Sequence, residues 1–279
     1  MKAQVVKERK KISVVMSVYN AQSTDILRAA IDSIRNQTEP DWELLICDDG
    51  STDDTWQKLQ DMTQGDERIR LIHNKENRRA AYARNCCIRQ ASGDYIAIMD
   101  ADDLSHPDRL KLQKQFLDSH PEYAFVGTRG QFFIREVGDD PETYWFLAQP
   151  QAKDFRFSVP FVHASCMFRK EALEKVGGYD ASPQKIRMED YDMLLRLYAK
   201  KQYGANLEDT LYYIRRDEQQ YKRRKYRYRF NEARMKYQGF RDLGLMPGAI
   251  LYVIKPLIVG LIPWRISAIL QKSYYRKKL

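Results

Sequence analysis

Asp100-Ala101-Asp102 directly follows the apolar run Tyr95-Ile96-Ala97-Ile98-Met99. Two carboxylates at i and i+2 of an extended segment point the same way. Paired hard oxygen donors of this kind suit Mg²⁺ or Mn²⁺, which keep several waters and take phosphate oxygens as further ligands. A second acidic pair, Asp48-Asp49, ends the run Trp42–Cys47, and a third group, Glu189, Asp190 and Asp192, opens a helical pattern. The bland alternatives are a solvated acidic turn, with Asp103 capping the next helix, and acidic residues that complement a helix N-terminus. The place of Asp100 and Asp102 after a buried strand, beside a second acidic strand end, favours the metal.

The elements that must carry these groups alternate in type. Ile12–Val18 is a β-branched run that ends in the turn-like Asn20-Ala21-Gln22-Ser23. A helix is predicted from about Thr24, with Ile26, Leu27, Ala30, Ile31 and Ile34 on one face. The second strand, Trp42–Cys47, precedes a helix capped by Asp53 or Thr52 that carries Trp56, Leu59 and Met62. Ile69–Ile72 is a third strand, Arg79–Gln90 a helix and Tyr95–Met99 a fourth strand. This order predicts an α/β fold with a parallel, right-handed, doubly wound sheet, in which ligands collect beyond the carboxyl ends of the strands. After it come a helix from Pro107 to about His120, a strand at Tyr123–Gly127 and a strand at Ala164–Phe168. A short helix stopped by Gly177-Gly178, a helix opening at Met188 and a short strand at Leu211–Ile214 complete the body. From about Asp217 the chain reads as basic and helical.

The ordered set of motifs resembles the family 2 glycosyltransferases over about residues 11–215. Ile12–Asn20 is similar to the family's opening strand, and Cys47-Asp48-Asp49-Gly50-Ser51-Thr52-Asp53 to its second acidic turn. Asn74-Lys75-Glu76-Asn77 leading to Ala83-Arg84-Asn85, then Ala91–Tyr95, follow in order, and Met99–Asp103 matches the Asp-x-Asp element. Val176–Asp180 and Met188–Asp192 complete the set.

The resemblance implies a GT-A fold, Rossmann-like and mostly parallel, flanked by helices. It also implies inverting transfer of a sugar from a nucleotide diphosphate. By it, Ser17 and Tyr19 line the base pocket, Asp49 accepts a hydrogen bond from a pyrimidine ring, and Ala101 lies along the nucleotide. Asp100 faces ribose and metal, and Asp102 ligates Mn²⁺ or Mg²⁺ directly. Asp190 is the base that deprotonates the acceptor hydroxyl, Glu189 its neighbour at the acceptor, and His163 a candidate diphosphate or acceptor contact. The chain departs from the common pattern at Arg78-Arg79, where many members carry glycines, so Arg79 and Arg84 both stand as candidates beside the base or diphosphate.

Elementary chemistry agrees with these roles. A carboxylate acceptor distinguishes a ring N–H, so Asp49 fits uracil or thymine better than cytosine. No Gly-x-x-x-x-Gly-Lys or Gly-x-Gly-x-x-Gly cradle follows the first strand, which leaves most of the phosphate charge to a metal. A haloacid-dehalogenase-like phosphatase is disfavoured by Leu104 two residues after the second aspartate and by the three βα units before it. A sugar-phosphate nucleotidyltransferase would need a glycine-rich opening that is absent.

Charge divides the chain. Of 279 residues, 47 are Lys or Arg and 38 Asp or Glu, a formal +9. Residues 211–279 hold 17 basic and 4 acidic residues, which leaves the first 210 slightly acidic. Tyr221–Phe230 interleaves aromatics with cations, as single-strand nucleic-acid binders do. The adjacent apolar stretches, 244–254 and 257–264 about Lys255-Pro256, are each too short to span a bilayer and favour an anionic membrane surface instead. No nucleic acid is expected as a partner. The four cysteines have no metal or redox spacing and suit a reducing compartment. Residues 1–10 lack a signal-peptide pattern.

The expected organisation is a short extension (1–10), a catalytic domain (11–216, divided at 110 into nucleotide-sugar and acceptor halves) and a basic helical tail (217–279). The expected protein is a UDP-sugar transferase, peripheral at the cytoplasmic face of the membrane, that acts on a lipid-linked saccharide in surface-polysaccharide synthesis. Transfer to a polyprenyl phosphate is the alternative, since that oxygen is already ionised and needs no base.

Overall fold

The computed structural model describes residues 11–216 and 226–261. One sheet of eight strands organises them: β1 (Ile12–Val18), β2 (Trp42–Asp48), β3 (Ile69–His73), β4 (Tyr95–Asp100), β5 (Leu104–Ser105), β6 (Phe125–Phe133), β7 (Met167–Arg169) and β8 (Gly204–Arg215). Their order is β3-β2-β1-β4-β7-β6-β8-β5. The first four pair in parallel, as the alternation of strand and helix predicts. Strand β7 is antiparallel to β4 and β6, β6 runs parallel to β8, and β5 is antiparallel to β8.

Helices α1 (Thr24–Arg35), α2 (Thr55–Thr63), α3 (Arg79–Gln90), α4 (Arg109–Ser119), α5 (Lys170–Val176) and α6 (Glu189–Ala199) flank this sheet. Side-chain alternation along the strands builds two cores. Val15, Leu45, Ile96 and Ile98 pack with residues of α3 and α6. Val14, Met16, Leu44 and Met99 pack with those of α1, α2 and α4. Burying both sheet faces explains why the parallel strands read as unbroken apolar runs.

Several expectations need local correction. Helix α2 starts at Thr55 after Asp54, and Asp53 accepts from the Thr55 N–H at 3.0 Å rather than capping the helix itself. The segment read as one strand at Ala164–Phe168 is a 3₁₀ turn, His163–Ser165, followed by β7. Ser165 Oγ spends its hydrogen-bonding capacity on that turn, with Val162 C=O and Thr128 N–H as partners. Strand β8 is much longer than Leu211–Ile214, because exposed Glu208 and Asp209 interrupt its apolar pattern at an irregularity in the β6 pairing. Asp103 caps no helix; it is buried and accepts from the Arg215 N–H at 2.8 Å.

The C-terminal part forms α7 (Arg227–Asp242) and α8 (Ile250–Gly260). Helix α8 continues through Pro256 instead of breaking there, at the loss of the hydrogen bond a proline cannot donate. Ala233, Met235, Phe240, Ala249 and Val253 join the α6 side of the core. Residues 221–225 of the Tyr221–Phe230 motif, the extension 1–10 and residues 262–279 lie outside the described residues. No helix among the described residues is long and apolar enough to cross a membrane.

Candidate active site

The carboxyl ends of β1, β2 and β4 lie side by side, since Ser17 registers with Cys47 and with Asp100. Beyond β2, Asp48 and Asp49 have separate jobs. Asp48 is fully buried; its Oδ2 meets His73 Nδ1 at 2.8 Å and its Oδ1 accepts from the Ser51 hydroxyl. Asp49 accepts from Asn74 Nδ2 at 2.9 Å and from the Arg78 N–H at 3.0 Å. Burial raises the Asp49 carboxyl above its ordinary range, although these donors oppose the shift. A carboxylate offers about four lone-pair sites, so Asp49 retains acceptor capacity. Gly50 makes this turn possible: it has φ +69°, and a Cβ there would sit 2.5 Å from the Glu76 backbone.

At the end of β4, Asp100 Oδ1 pairs with Arg84 of α3 at 2.6 Å. Arg84 is buried, and its Nε has no hydrogen-bond partner. Burial opposes its charge, but Asp100, Tyr179 and Glu189 outweigh burial and hold the guanidinium above its usual value. Strand β8 braces the acidic turn from the other side. Tyr212 Oη lies 3.2 Å from the Asp100 N–H, and Arg215 Nε donates to the Asp102 carbonyl at 2.9 Å. Asp102 itself is exposed. Burial, with Asp102 and Asp100 beside it, holds the Asp103 carboxyl well above the usual range.

The residues fit a hard divalent cation that binds through few protein ligands. Asp100 and Asp102 supply oxygen donors, and no cluster of three or more ligating side chains occurs among the described residues. Such a donor set matches Mg²⁺ or Mn²⁺ bound largely by waters and phosphate oxygens.

A second group converges from α6 and the loop before it. Glu189 and Asp190 open α6. Burial first, then the Glu189 charge, push the Asp190 carboxyl up to about 6. Glu189 Oε2 is buried without a hydrogen-bond partner. His163 Nε2 lies 2.8 Å from Tyr179 Oη, and burial with Arg84 nearby pushes its imidazole down to about 3. At neutral pH it is an uncharged group, unable to serve as a cation for phosphate. Asn85 grips Tyr179 through both backbone groups, at 3.0 Å and 2.8 Å. Gly178 (φ +68°) lets that grip form, since a Cβ would lie 2.7 Å from Asn85 Oδ1.

The two candidate arginines therefore occupy different places. Arg84 is locked to Asp100, whereas Arg79 is exposed and lines a cleft with Glu189. Tyr19 is 46% exposed beyond β1 and Ser17 is half-buried. Sequence reasoning missed Tyr179, Tyr212 and Arg215. Tyr179 lies inside a quoted motif, but Tyr212 reads as an ordinary residue of the short strand Leu211–Ile214 and Arg215 falls just past its end.

The model of Glycosyl transferase family 2 matches residues 13–177. The putative glycosyltransferase EpsE of Bacillus subtilis (strain 168) is 37% identical over 270 residues, 96% of this chain and 94% of EpsE. WfaP of Escherichia coli, a UDP-Glc:alpha-D-GlcNAc-diphosphoundecaprenol beta-1,3-glucosyltransferase, is 31% identical over 205 residues, covering 73% of this chain and 77% of WfaP. Among solved structures, S. aureus TarS 1-349 in complex with UDP-GlcNAc superposes with a TM-score of 0.69 at 15% identity, over 91% of this chain and 76% of that one. The fold is GT-A, as the motifs imply. The chain belongs to glycosyl transferase family 2 and is a glycosyltransferase with relatives in polysaccharide synthesis.

Proposed function

We propose that the chain transfers a sugar from a UDP-sugar, with inversion, to a hydroxyl of a lipid-linked saccharide. The observation that carries this reading is the pairing of two acidic centres. One ends β4, with half-buried Asp100 backed by Arg84 and Asp102 exposed beside it; the other is a half-buried carboxylate titrating near 6 at the start of α6. Asp49, with Ser17 and Tyr19 beside it, would receive the uracil ring N–H. Asp100 and Asp102 would hold Mn²⁺ or Mg²⁺, with Ala101 between them along the nucleotide. That metal, when bound, supplies Lewis-acid stabilisation to the departing diphosphate. Arg84 fixes Asp100 by a charge-assisted bond. Asp190 takes the proton from the acceptor hydroxyl as its oxygen attacks the anomeric carbon from the face opposite the leaving group. A base poised near the working pH is suited to that task. Glu189, with one oxygen unpartnered, would hold a second acceptor hydroxyl.

The lipid-linked acceptor is supported by the diphosphoundecaprenol-linked substrate in the name of the E. coli relative. It is also supported by the outer surface of α8 and its C-cap, where Leu251, Ile258 and Leu261 are exposed. Such a surface suits a peripheral position on an anionic membrane.

Donor recognition is tested by titration calorimetry of UDP, CDP and GDP with Mn²⁺ present. UDP should bind most tightly, and Asp49→Asn should weaken UDP about tenfold or more while leaving CDP little changed. Equal affinity for the three nucleotides, unaltered in the variant, would contradict the assignment of Asp49.

A further inference from the structure

We propose that the cleft between the first turn of α3 and the loop before α6 binds the diphosphate of the lipid-linked acceptor. This rests on the reading of α6 as the acceptor-side helix. Arg79 enters the cleft from α3, Asp180, Lys185 and Arg187 from the loop, and Glu189 from α6.

The charges within it are unequal in their freedom. Lys185 is tied to Asp192, a carboxylate it shares with Arg196, and Asp180 accepts from the Ser182 N–H at 2.9 Å. Arg79 and Arg187 are exposed, and neither guanidinium has a hydrogen-bond or ion-pair partner among the described residues. Both have left-handed backbone, φ 74° and 66°. Non-glycine residues adopt that conformation sparingly, and it clusters where a ligand is clamped. Against these two cations stands Glu189 Oε2, buried and unpartnered.

Two free guanidinium forks and one orphan acceptor oxygen complement a ligand with both phosphate and hydroxyl groups. That description covers the donor as well as a diphosphate-linked acceptor, and position separates them. Ser17, Asp49, Asp100 and Asp102 stay outside the cleft, while Arg79, itself a candidate for the donor, marks its donor-side edge through a backbone hydrogen bond to Asp49. Arg187 instead stands three residues before Asp190. A diphosphate held there would deliver its attached sugar to the base. The turn at Pro183–Lys185 also packs against α7, which carries the partly lipid-suited α8. The rim of the cleft and that helix pair thus belong to one packed body.

Farnesyl diphosphate is the probe, titrated into the full chain already saturated with UDP and Mn²⁺, with farnesol as the control for the chain alone. Farnesyl diphosphate should bind the UDP-loaded protein and farnesol should not. Arg187→Gln should weaken farnesyl diphosphate about tenfold, Arg187→Lys, which keeps the charge but loses the fork, should fall between Gln and wild type, and both should bind UDP within about twofold of wild type. Displacement of UDP by farnesyl diphosphate, or unchanged affinity in Arg187→Gln, would overturn the proposal. Parallel loss of UDP affinity in Arg187→Gln would assign the cleft to the donor and also overturn it. Failure of UDP to bind the wild type would count against the donor-site reading instead, and the same titration on unloaded protein then decides the cleft.

Discussion

A carboxyl group that titrates near 6 is costly to ionise, and Asp190 reaches that value because burial and the adjacent Glu189 both disfavour its charge. The cost has a sign that can be measured. Between the ordinary 3.8 and about 6 the folded chain holds the Asp190 proton more tightly than the unfolded chain does. Stability contributed by this group is therefore present at low pH and is lost as pH rises from about 4 to about 6. Asp190→Asn should be more stable than wild type at pH 8, on the order of 1–3 kcal/mol, with the difference closing near pH 4. Denaturant unfolding at the two pH values checks this, and a gap of the same size at both would contradict it. The kcat/KM profile should rise with an apparent pKa near 6, the ascending limb expected of a base that must be ionised. At this scale the sequence was partly legible. Motif order located the carboxylates, but spacing could not divide labour between Arg79 and Arg84. Burial does so: Arg84 points into a low-dielectric region and needs Asp100, while Arg79 stays in solvent.

Elements position these residues through contacts that local patterns do not encode. The β1–β4 alternation, the helix at Arg79–Gln90 and the glycine stop after α5 were readable because each follows from periodicity or turn chemistry. Strand β8 was not, because its charged middle breaks the period while its ends do the bracing. Arg215 is the clearest case. Its backbone N–H holds Asp103, its Nε holds the Asp102 carbonyl, and its guanidinium lies 4.4 Å from the centre of the Phe133 ring. A charged residue at a strand end normally reads as solvated. Arg215→Ala should loosen the acidic turn rather than remove a ligand. The Mn²⁺ concentration for half-maximal activity should rise about tenfold, in line with the effect of removing groups that orient ligands, with kcat at saturating Mn²⁺ little changed. A lowered kcat with unchanged Mn²⁺ dependence would contradict the bracing role.

Across the whole molecule, the +9 formal charge conceals an acidic body and a basic C-terminal part. The described portion of that part is no loose appendage: Phe240 is fully buried, and a Cβ at Gly239 would lie 2.6 Å from Leu195 of α6. Cutting the chain before Phe240 would therefore damage the catalytic core along with any lipid contact, so point substitutions are the cleaner probe. Leu251 is 75% exposed and Ile258 60%, so replacing both by Asp removes little packing. The double variant should lose most of its partition onto vesicles containing anionic phospholipid, while its melting temperature moves by no more than about 2 °C, as expected for exposed positions. Undiminished partition would contradict a membrane-facing α8.

Sugar leaves a UDP-sugar, on this mechanism, at a site in which Asp190 acts as base. UDP release from a panel of UDP-sugars by the full chain with Mn²⁺, compared between wild type and Asp190→Asn, tests it most directly. Wild type should turn over at least one UDP-sugar. Asp190→Asn should lose about 10²–10⁴-fold of that rate, with UDP affinity held within about twofold. Equal rates in the two proteins, with UDP bound equally by both, would contradict it.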